Sequence, residues 1–281
     1  MAKGKIRVWN VGNTFYMLDK RKARSYGEER LKIEENYIRI GNNAFENNEM
    51  IKEIILPKTL AIIGKNAFKG CKALRNVNIP ESVKVIEEGA FKDCIKLKRI
   101  NLPNGMNKIS KDTFKGCKNL KEITISNKSE IKEISADAFN SCDSLKNIQL
   151  PENIKKIEFR TFYKTKSLKE IKFPESLEYI DKEAFYLSGI NNIQIPEKVR
   201  KIDDAAFKNC KFLLNVTIPL NVKEIGNRVF TGCRRLKTVK ILHDLDEIGE
   251  EFVNKHTIVI CKEGSKIDSY CEKFEIKTKY I

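Results

Sequence analysis

Apolar positions along this chain recur in one order: I-x-x-x-A-F-x-x-C-x-x-L-x-x-I-x-[IL]-P-x-x-V-x-x-I. Residues 63–86 carry it in full, with Ala67, Phe68, Cys71, Leu74, Val77, Ile79, Pro80, Val83 and Ile86. The phenylalanines set the period. Phe45, Phe68, Phe91, Phe114, Phe139, Phe162, Phe185, Phe207 and Phe230 are separated by 23, 23, 23, 25, 23, 23, 22 and 23 residues, and Phe252-Val253 takes the same place once more. All seven prolines fall in one column: Pro57, Pro80, Pro103, Pro151, Pro174, Pro196 and Pro219. A fixed period of this length marks a stacked repeat, because one short unit cannot bury its own apolar face and its neighbours must cover it.

Each unit then predicts its own elements. In L-x-x-I-x-[IL] the last residues alternate, so Val77 and Ile79 point inward and Asn78 points out, as in a short strand. Proline ends that strand because it has no N–H to continue a ladder between coils. V-x-x-I brings the chain back along a second face as another short strand. The position after it is small or a helix-capping type: Gly41, Gly64, Ser110, Ser135, Asp181, Asp203 and Gly226. The A-F-x-x-C segment that follows reads as one helical turn with that residue as N-cap. If the strands pair in parallel, coils stack at roughly 4.8 Å, and ten of them extend about 50 Å.

The pattern therefore predicts a repeat solenoid, mainly β with short helical turns, of nine or ten coils over residues 38–260. Residues 1–37 are expected to form an N-terminal cap and half-coil, and residues 261–281 a C-terminal cap. In the half-coil, Leu31, Ile33, Tyr37 and Ile40 fill the apolar columns, with Glu34 in place of proline. Upstream, Ile6, Val8, Val11, Phe15 and Met17 around Asn10-Val11-Gly12-Asn13 suggest a hairpin that covers the open end. The run Asp19-Lys20-Arg21-Lys22-Ala23-Arg24 reads as a solvated loop. Tyr270, Phe274, Ile276 and Tyr280 suggest a closing helix and strand.

The residues Ala67-Phe68, Cys71, Leu74, Val77, Ile79-Pro80 and their copies resemble the BspA-like branch of the leucine-rich-repeat superfamily. The resemblance covers residues 38–260. It implies a right-handed curved solenoid with a parallel sheet on its concave face, and roles in adhesion, host-matrix contact or protein recognition at microbial surfaces. The chain as written shows no secretory signal: Met1-Ala2-Lys3-Gly4-Lys5-Ile6-Arg7 is basic but no apolar stretch follows. Read alone, it is expected to be cytoplasmic, whereas the resemblance implies a cell-surface or secreted protein. No apolar run reaches the roughly 18 residues of a membrane span.

The residues offer little chemistry. Six cysteines share one column, Cys71, Cys94, Cys117, Cys142, Cys210 and Cys233. Parallel Cβ vectors about 4.8 Å apart miss the roughly 3.8 Å separation of a disulfide, so buried free thiols are expected. Cys261 and Cys271 lie off the ladder and can pair in an oxidising compartment. The two histidines, His243 and His256, have no nucleophile or zinc spacing beside them. A filled core leaves no pocket for a carboxylate pair. No enzyme, cofactor or metal site is expected.

Charge changes the picture in one place. The chain carries 54 Lys and Arg against 38 Asp and Glu, a formal +16, which favours anionic partners or serves solubility. The residue after the leucine column reads Lys52, Arg75, Lys98, Lys121, Lys146, Lys169, Asn191, Leu214, Lys237. Unit charges about 5 Å apart repel by roughly 0.8 kcal/mol in water, and Glu53, Glu122 and Glu170 stand next in sequence to offset them. This row is either repeat-typical solvated lysine or a site for an anionic partner. The outward mid-strand column reads Ile55, Asn78, Asn101, Thr124, Gln149, Lys172, Gln194, Thr217, Lys240, adaptable hydrogen-bonding groups suited to a protein or glycan. Two irregular coils replace the cysteine by Thr165 and Ser188, and Tyr163, Tyr179 and Tyr186 lie near them. Tyrosine is favoured at binding hot spots, so those coils mark either a partner site or drift on a tolerant surface. The expected function is a non-enzymatic protein-binding, adhesion or scaffold module using its strand face. The alternative is a binder of acidic glycan or, less favoured, nucleic acid through the basic row.

Overall fold

A computed structural model describes residues 16–126 and 129–281. The chain is a β-solenoid of about eleven turns and divides into two compact units, Met1–Ile148 and Gln149–Ile281. The suspected hairpin upstream of Tyr16, and Asn127-Lys128 of the lengthened coil, lie outside the described residues.

Both units stack the same coil. On the first face, the strands of the Met1–Ile148 unit are Arg30–Lys32, Glu53–Ile55, Asn76–Asn78, Arg99–Leu102 and Glu122–Ile125. All their pairings are parallel and shifted by one repeat, so like residues align: Leu31↔Ile54↔Val77 and Ile100↔Ile123. In the Gln149–Ile281 unit this face begins with single bridges, Gln149↔Lys172 and Glu170↔Asn192. It continues as strands Asn215–Thr217, Thr238–Lys240, Ile258–Cys261 and Thr278–Tyr280. The second face is built of two-residue strands such as Val85–Ile86 and Lys201–Ile202, again parallel and in register. Each proline opens the link between the faces. The Pro80 carbonyl accepts from Val83 N at 3.0 Å, and Pro174, Pro196 and Pro219 repeat the bond.

The coil stack begins earlier than the half-coil read from the sequence. Tyr16–Leu18 pairs in parallel with Tyr37–Ile40, with Leu18 opposite Ile40, so it already fills the second-face column. The Asp19–Arg24 run, exposed except for the buried Ala23, is a short helix, Lys20–Ala23, rather than a loop; Asp19 Oδ1 caps it by accepting from Lys22 N at 2.8 Å. At the other end, helix Lys266–Lys273 connects strand Ile258–Cys261 to its parallel neighbour Thr278–Tyr280.

The Ala-Phe-x-x-Cys segment is not a helical turn. Within one coil, Ala67, Lys69 and Cys71 donate to Gly64, Asn66 and Phe68 three residues back, while Asn66, Phe68 and Gly70 donate to Glu88, Ala90 and Lys92 of the next coil at 2.7–3.0 Å. Every second amide thus serves stacking, whereas a helix would spend them all internally. This alternation needs a left-handed residue every fourth position: Asn66 (φ 53°) and Gly70 (φ 70°), then Gly89 and Asp93, and so on as far as Arg228 and Gly232. The residues expected as N-caps act differently too. Their carbonyls accept the first turn bond, as Gly64 O does from Ala67 N at 3.1 Å, and where the residue is glycine the space for a side chain is taken. A Cβ on Gly64 would lie 2.7 Å from Ile40 O, and one on Gly226 2.5 Å from Asp204 N.

Left-handed backbone costs an L-residue about 1–2 kcal/mol. Ala205 sits there at φ 53°, while its neighbour Ala206 is fully buried in the alanine column. Ala205→Gly is expected to raise stability by up to about 1 kcal/mol, the strain relief exceeding glycine's entropy cost of about 0.5–1 kcal/mol. Ala206→Gly is expected to lower it. Urea denaturation of the two variants gives opposite signs if this backbone assignment holds.

Inside, the phenylalanines stack nearly parallel with centroids 5.2–5.8 Å apart, as Phe45, Phe68, Phe91, Phe114 and Phe139 in one unit and Phe162, Phe185, Phe207 and Phe230 in the other. The six ladder thiols are fully buried. Each donates to the phenylalanine carbonyl of the preceding coil, as Cys71 to Phe45 and Cys94 to Phe68 at 3.1 Å. In the irregular coils the Thr165 hydroxyl turns to its own Phe162 carbonyl at 2.8 Å and lies 3.2 Å from Ser188 Oγ. The coil that is one residue short closes at Gly189, where a Cβ would meet the Lys166 carbonyl oxygen at 2.0 Å. Cys261 and Cys271 are buried free thiols.

Candidate functional site

The basic row is built by backbone. Residues of this column precede the first-face strands, and each donates its N–H to the same column one coil back: Arg75 to Lys52 at 2.8 Å, Lys98 to Arg75 at 3.3 Å, Lys121 to Lys98 at 2.8 Å and Lys146 to Lys121 at 3.2 Å. Five basic residues therefore stand on successive coils of the Met1–Ile148 unit. In the Gln149–Ile281 unit Lys169 is followed by Asn191, which donates to the Lys169 carbonyl, and Lys237 by way of Leu214; the row there is broken.

The expected offset by glutamate takes another form. Lys52 Nζ binds Glu29 Oε1 at 2.6 Å and, by that hydrogen bond, holds Glu29 below the usual carboxylate range. Glu53 pairs instead with Arg30 at 3.3 Å, and Glu122 with Arg99 at 3.0 Å. These acids answer bases of their own column, one coil away. Among the described residues Lys98, Lys121 and Lys146 are exposed and form no ion pair. Some surface lysines elsewhere are answered: Lys92 and Lys115 hold Asp112 at 2.8 and 3.3 Å, Lys65 holds Glu88 at 3.0 Å, and Lys201 holds Glu224 at 2.8 Å.

The mid-strand column is exposed where the alternation put it. Asn78, Asn101 and Thr124 face solvent between buried Val77, Ile79, Ile100, Leu102, Ile123 and Ile125, and Asn101 lies opposite Thr124. In the second unit Gln149, Lys172, Gln194 and Thr217 are exposed in the same column, which Lys240 continues.

The tyrosines divide. Tyr163 and Tyr186 stack at 5.1 Å on the turn side of their coils, Arg160 and Lys164 lie 5.1 and 5.2 Å over Tyr163, and Lys208 lies 6.0 Å over Tyr186. Their faces are thus largely occupied, and no flat ring is offered to a base or sugar. They line an open groove of about 760 Å³ with Lys182, Asp204 and Arg228. Most of its charged groups are paired across coils, Arg160 with Glu183 at 2.6 Å, Lys182 with Asp204 at 3.9 Å and Arg228 with Glu251 at 2.9 Å. Tyr179 is not part of this group. It lies on the second face opposite Lys156 and Lys201. Among the described residues no cluster of three or more His, Cys, Asp and Glu could hold a metal ion, and no helix is long and apolar enough to cross a membrane. His243 Nε2 lies 2.7 Å from Val222 O, a bond that ties its loop to the neighbouring coil.

Two features went unread in the sequence, and one had a signal. Ion pairs join residues one period apart, as Arg30 and Glu53, Arg99 and Glu122, Arg160 and Glu183, and Arg228 and Glu251. An acid 23 positions after a base is visible in the sequence itself. The occupation of the tyrosine faces has no comparable sign.

These coils match a family model described as the BspA type leucine rich repeat region, in six copies over residues 25–133 and 132–259. The chain belongs to the BspA-type leucine-rich-repeat family. Solved structures of other members of the leucine-rich-repeat class share the fold of this BspA-type chain. A leucine-rich repeat protein from Bacteroides ovatus is 24% identical, with a TM-score of 0.54 over 90% of this chain and 83% of that one. The pneumococcal vaccine antigen PcpA is 17% identical, with a TM-score of 0.57 over 91% and 79%. A leucine-rich repeat protein from Eubacterium ventriosum is 16% identical, with a TM-score of 0.53 over 93% and 74%. No curated protein matches this BspA-type chain in sequence.

Proposed function

We propose that this protein is a non-enzymatic recognition module of adhesin or scaffold type that binds a partner protein on its exposed strand face. The observation that carries this is the mid-strand column. Asn78, Asn101 and Thr124 present unlike hydrogen-bonding groups outward, each on a strand held in parallel register with the strand of a neighbouring coil. A stacked solenoid gains specificity this way, because its core fixes the spacing and each coil contributes one variable side chain. Such a surface binds with little ordering cost. Family membership supports a binding role over a catalytic one.

Photo-cross-linkers placed singly at Asn101 and Thr124, and on the second face at Lys108 and Lys132, test the reading in extracts of the source cells and of tissue or medium they contact. A discrete protein adduct is expected from the first pair alone, and Thr124→Glu in the Asn101 cross-linker protein should abolish it. Adducts formed equally from both faces, or only from the second, would reject the strand face as the recognition surface.

A further inference from the structure

Resting on the strand-face reading, we infer that the edge of this face in the Met1–Ile148 unit is a separate subsite for a linear anionic polysaccharide, which Arg75, Lys98, Lys121 and Lys146 hold through its sulfate or carboxylate groups. The four stand on consecutive coils tied by backbone hydrogen bonds of 2.8–3.3 Å. Their spacing is thus the coil spacing, and the row is about 14 Å long at the usual strand separation. Lys98, Lys121 and Lys146 are exposed and form no ion pair among the described residues, whereas Lys52 at the end of the row is held by Glu29. The nearest strand acid, Glu122, is taken by Arg99. A file of like charges on consecutive coils, three of them exposed and answered by no acid, favours an extended ligand with repeated negative charge.

The surroundings select the ligand class. Beside the row, the outward strand positions hold Asn76 and Asn147, which give and accept the hydrogen bonds that sugar hydroxyls require. A pyranose chain advances by about one ring per coil, so its charges can follow the row. An extended acidic peptide repeats the same face only every second residue, roughly 6.7 Å, and falls out of step with coils about 4.8 Å apart. Single-stranded nucleic acid is held largely by base stacking, and these outward positions hold no aromatic side chain. Duplex DNA is read by a helix or ribbon set into a groove, and the row stands before short strands of the solenoid, not on a helix.

The test compares the whole protein with two triple variants. Lys98→Gln, Lys121→Gln and Lys146→Gln remove the row. Lys84→Gln, Lys108→Gln and Lys132→Gln remove the same charge from exposed second-face positions of the same unit. Lys65, Lys92 and Lys115 do not serve as this control, because their loss would strand Glu88, Asp112 and Asp137. Binding to heparin, hyaluronate, polyglutamate and duplex DNA is measured at low and high salt, with circular dichroism confirming the fold of all three proteins. The expected result is heparin or hyaluronate binding at low salt that the row triple weakens at least about tenfold and the control triple less than about threefold. The salt dependence should be shallower in the row triple. Heparin against hyaluronate separates sulfate from carboxylate as the anchoring group. Equal losses from both triples, no binding of either polysaccharide by the unaltered protein, or tighter row-dependent binding of DNA or polyglutamate would each overturn the inference. The cross-linking result at Asn101 and Thr124 is independent of the row, so the subsite can fail while the strand-face reading stands.

Discussion

Raising the pH is expected to unfold this protein near pH 10, and the cysteine ladder is the reason. Burial pushes Cys71 and Cys233 up to about 12, and it raises Cys94, Cys142 and Cys210 well above the ordinary thiol value, with neighbouring thiols adding to the effect. Cys117 is raised by burial as well. Unfolded thiols ionise near about 8.5. The folded state therefore keeps protons that the unfolded state releases. Stability is intact below about pH 8.5 and falls as pH rises toward the folded value. At pH 10 each such thiol costs about 2 kcal/mol relative to the unfolded chain. Six together remove on the order of 12 kcal/mol, comparable with the whole stability of a domain. Lys115, Lys156 and Lys201, raised by their acids, and the buried Tyr37 and half-buried Tyr270 lose stability in the same direction, but only from about pH 10 upward, so the loss between pH 8.5 and 10 belongs to the thiols. Denaturant titrations from pH 8 to 10.5 check this. Cys94→Ser with Cys117→Ser, the residue that already occupies this column as Ser188, should reduce the slope of stability against pH by about a third. An unchanged slope would remove the thiols from the explanation.

Phe185→Ala is the second change with a large expected effect. Its ring is fully buried, stacks on Phe162 and Phe207 at 5.2 Å on either side, and meets the edge of Phe173 at 5.6 Å. Removing it leaves a cavity between three coils, and large-to-small changes of this kind cost about 3–5 kcal/mol. In a stack held by nearest-neighbour contacts the loss is shared by the coils on both sides. Denaturant unfolding of the variant should show the full loss, with protease cleavage appearing in the coils of Phe162 and Phe207 as well as its own. A cost below about 1 kcal/mol would mean that the phenylalanine column is not the core of this unit.

The columns themselves were readable from the period alone. Ile100 opposite Ile123 and Val216 opposite Val239 follow once Phe91 and Phe114, or Phe207 and Phe230, are aligned. The outward position of Asn101 and Thr124 follows from alternation. The turn segment was misread because Ala67, Phe68 and Cys71 have the three- and four-residue spacing of a helix face. What excludes the helix is the pair of left-handed positions four residues apart. Asn43 and Asn47, Asn66 and Gly70, and Gly89 and Asp93 display them in residue types that tolerate that backbone, whereas Arg160, Lys164, Glu183 and Leu187 conceal them. The first coil was placed half a turn late because Tyr16–Leu18 contributes one buried column residue, Leu18, too few to register as a repeat. For the basic row, position and exposure were legible. Which acid answers which base was missed, although the 23-residue offset displays it, because Glu122 adjoins Lys121 in sequence yet pairs with Arg99 one coil away.

Lysine footprinting tests the strand-face claim most directly. The mid-strand column contains Lys32, Lys172 and Lys240, and the second face carries Lys108, Lys132, Lys156 and Lys223. Acetylation rates of all seven are measured by mass spectrometry with the protein alone and bound to the partner captured by cross-linking. Slower acetylation at one or more of Lys32, Lys172 and Lys240, with Lys108, Lys132, Lys156 and Lys223 unchanged, is the result expected if the strand face receives the partner; protection confined to the second-face lysines would contradict it.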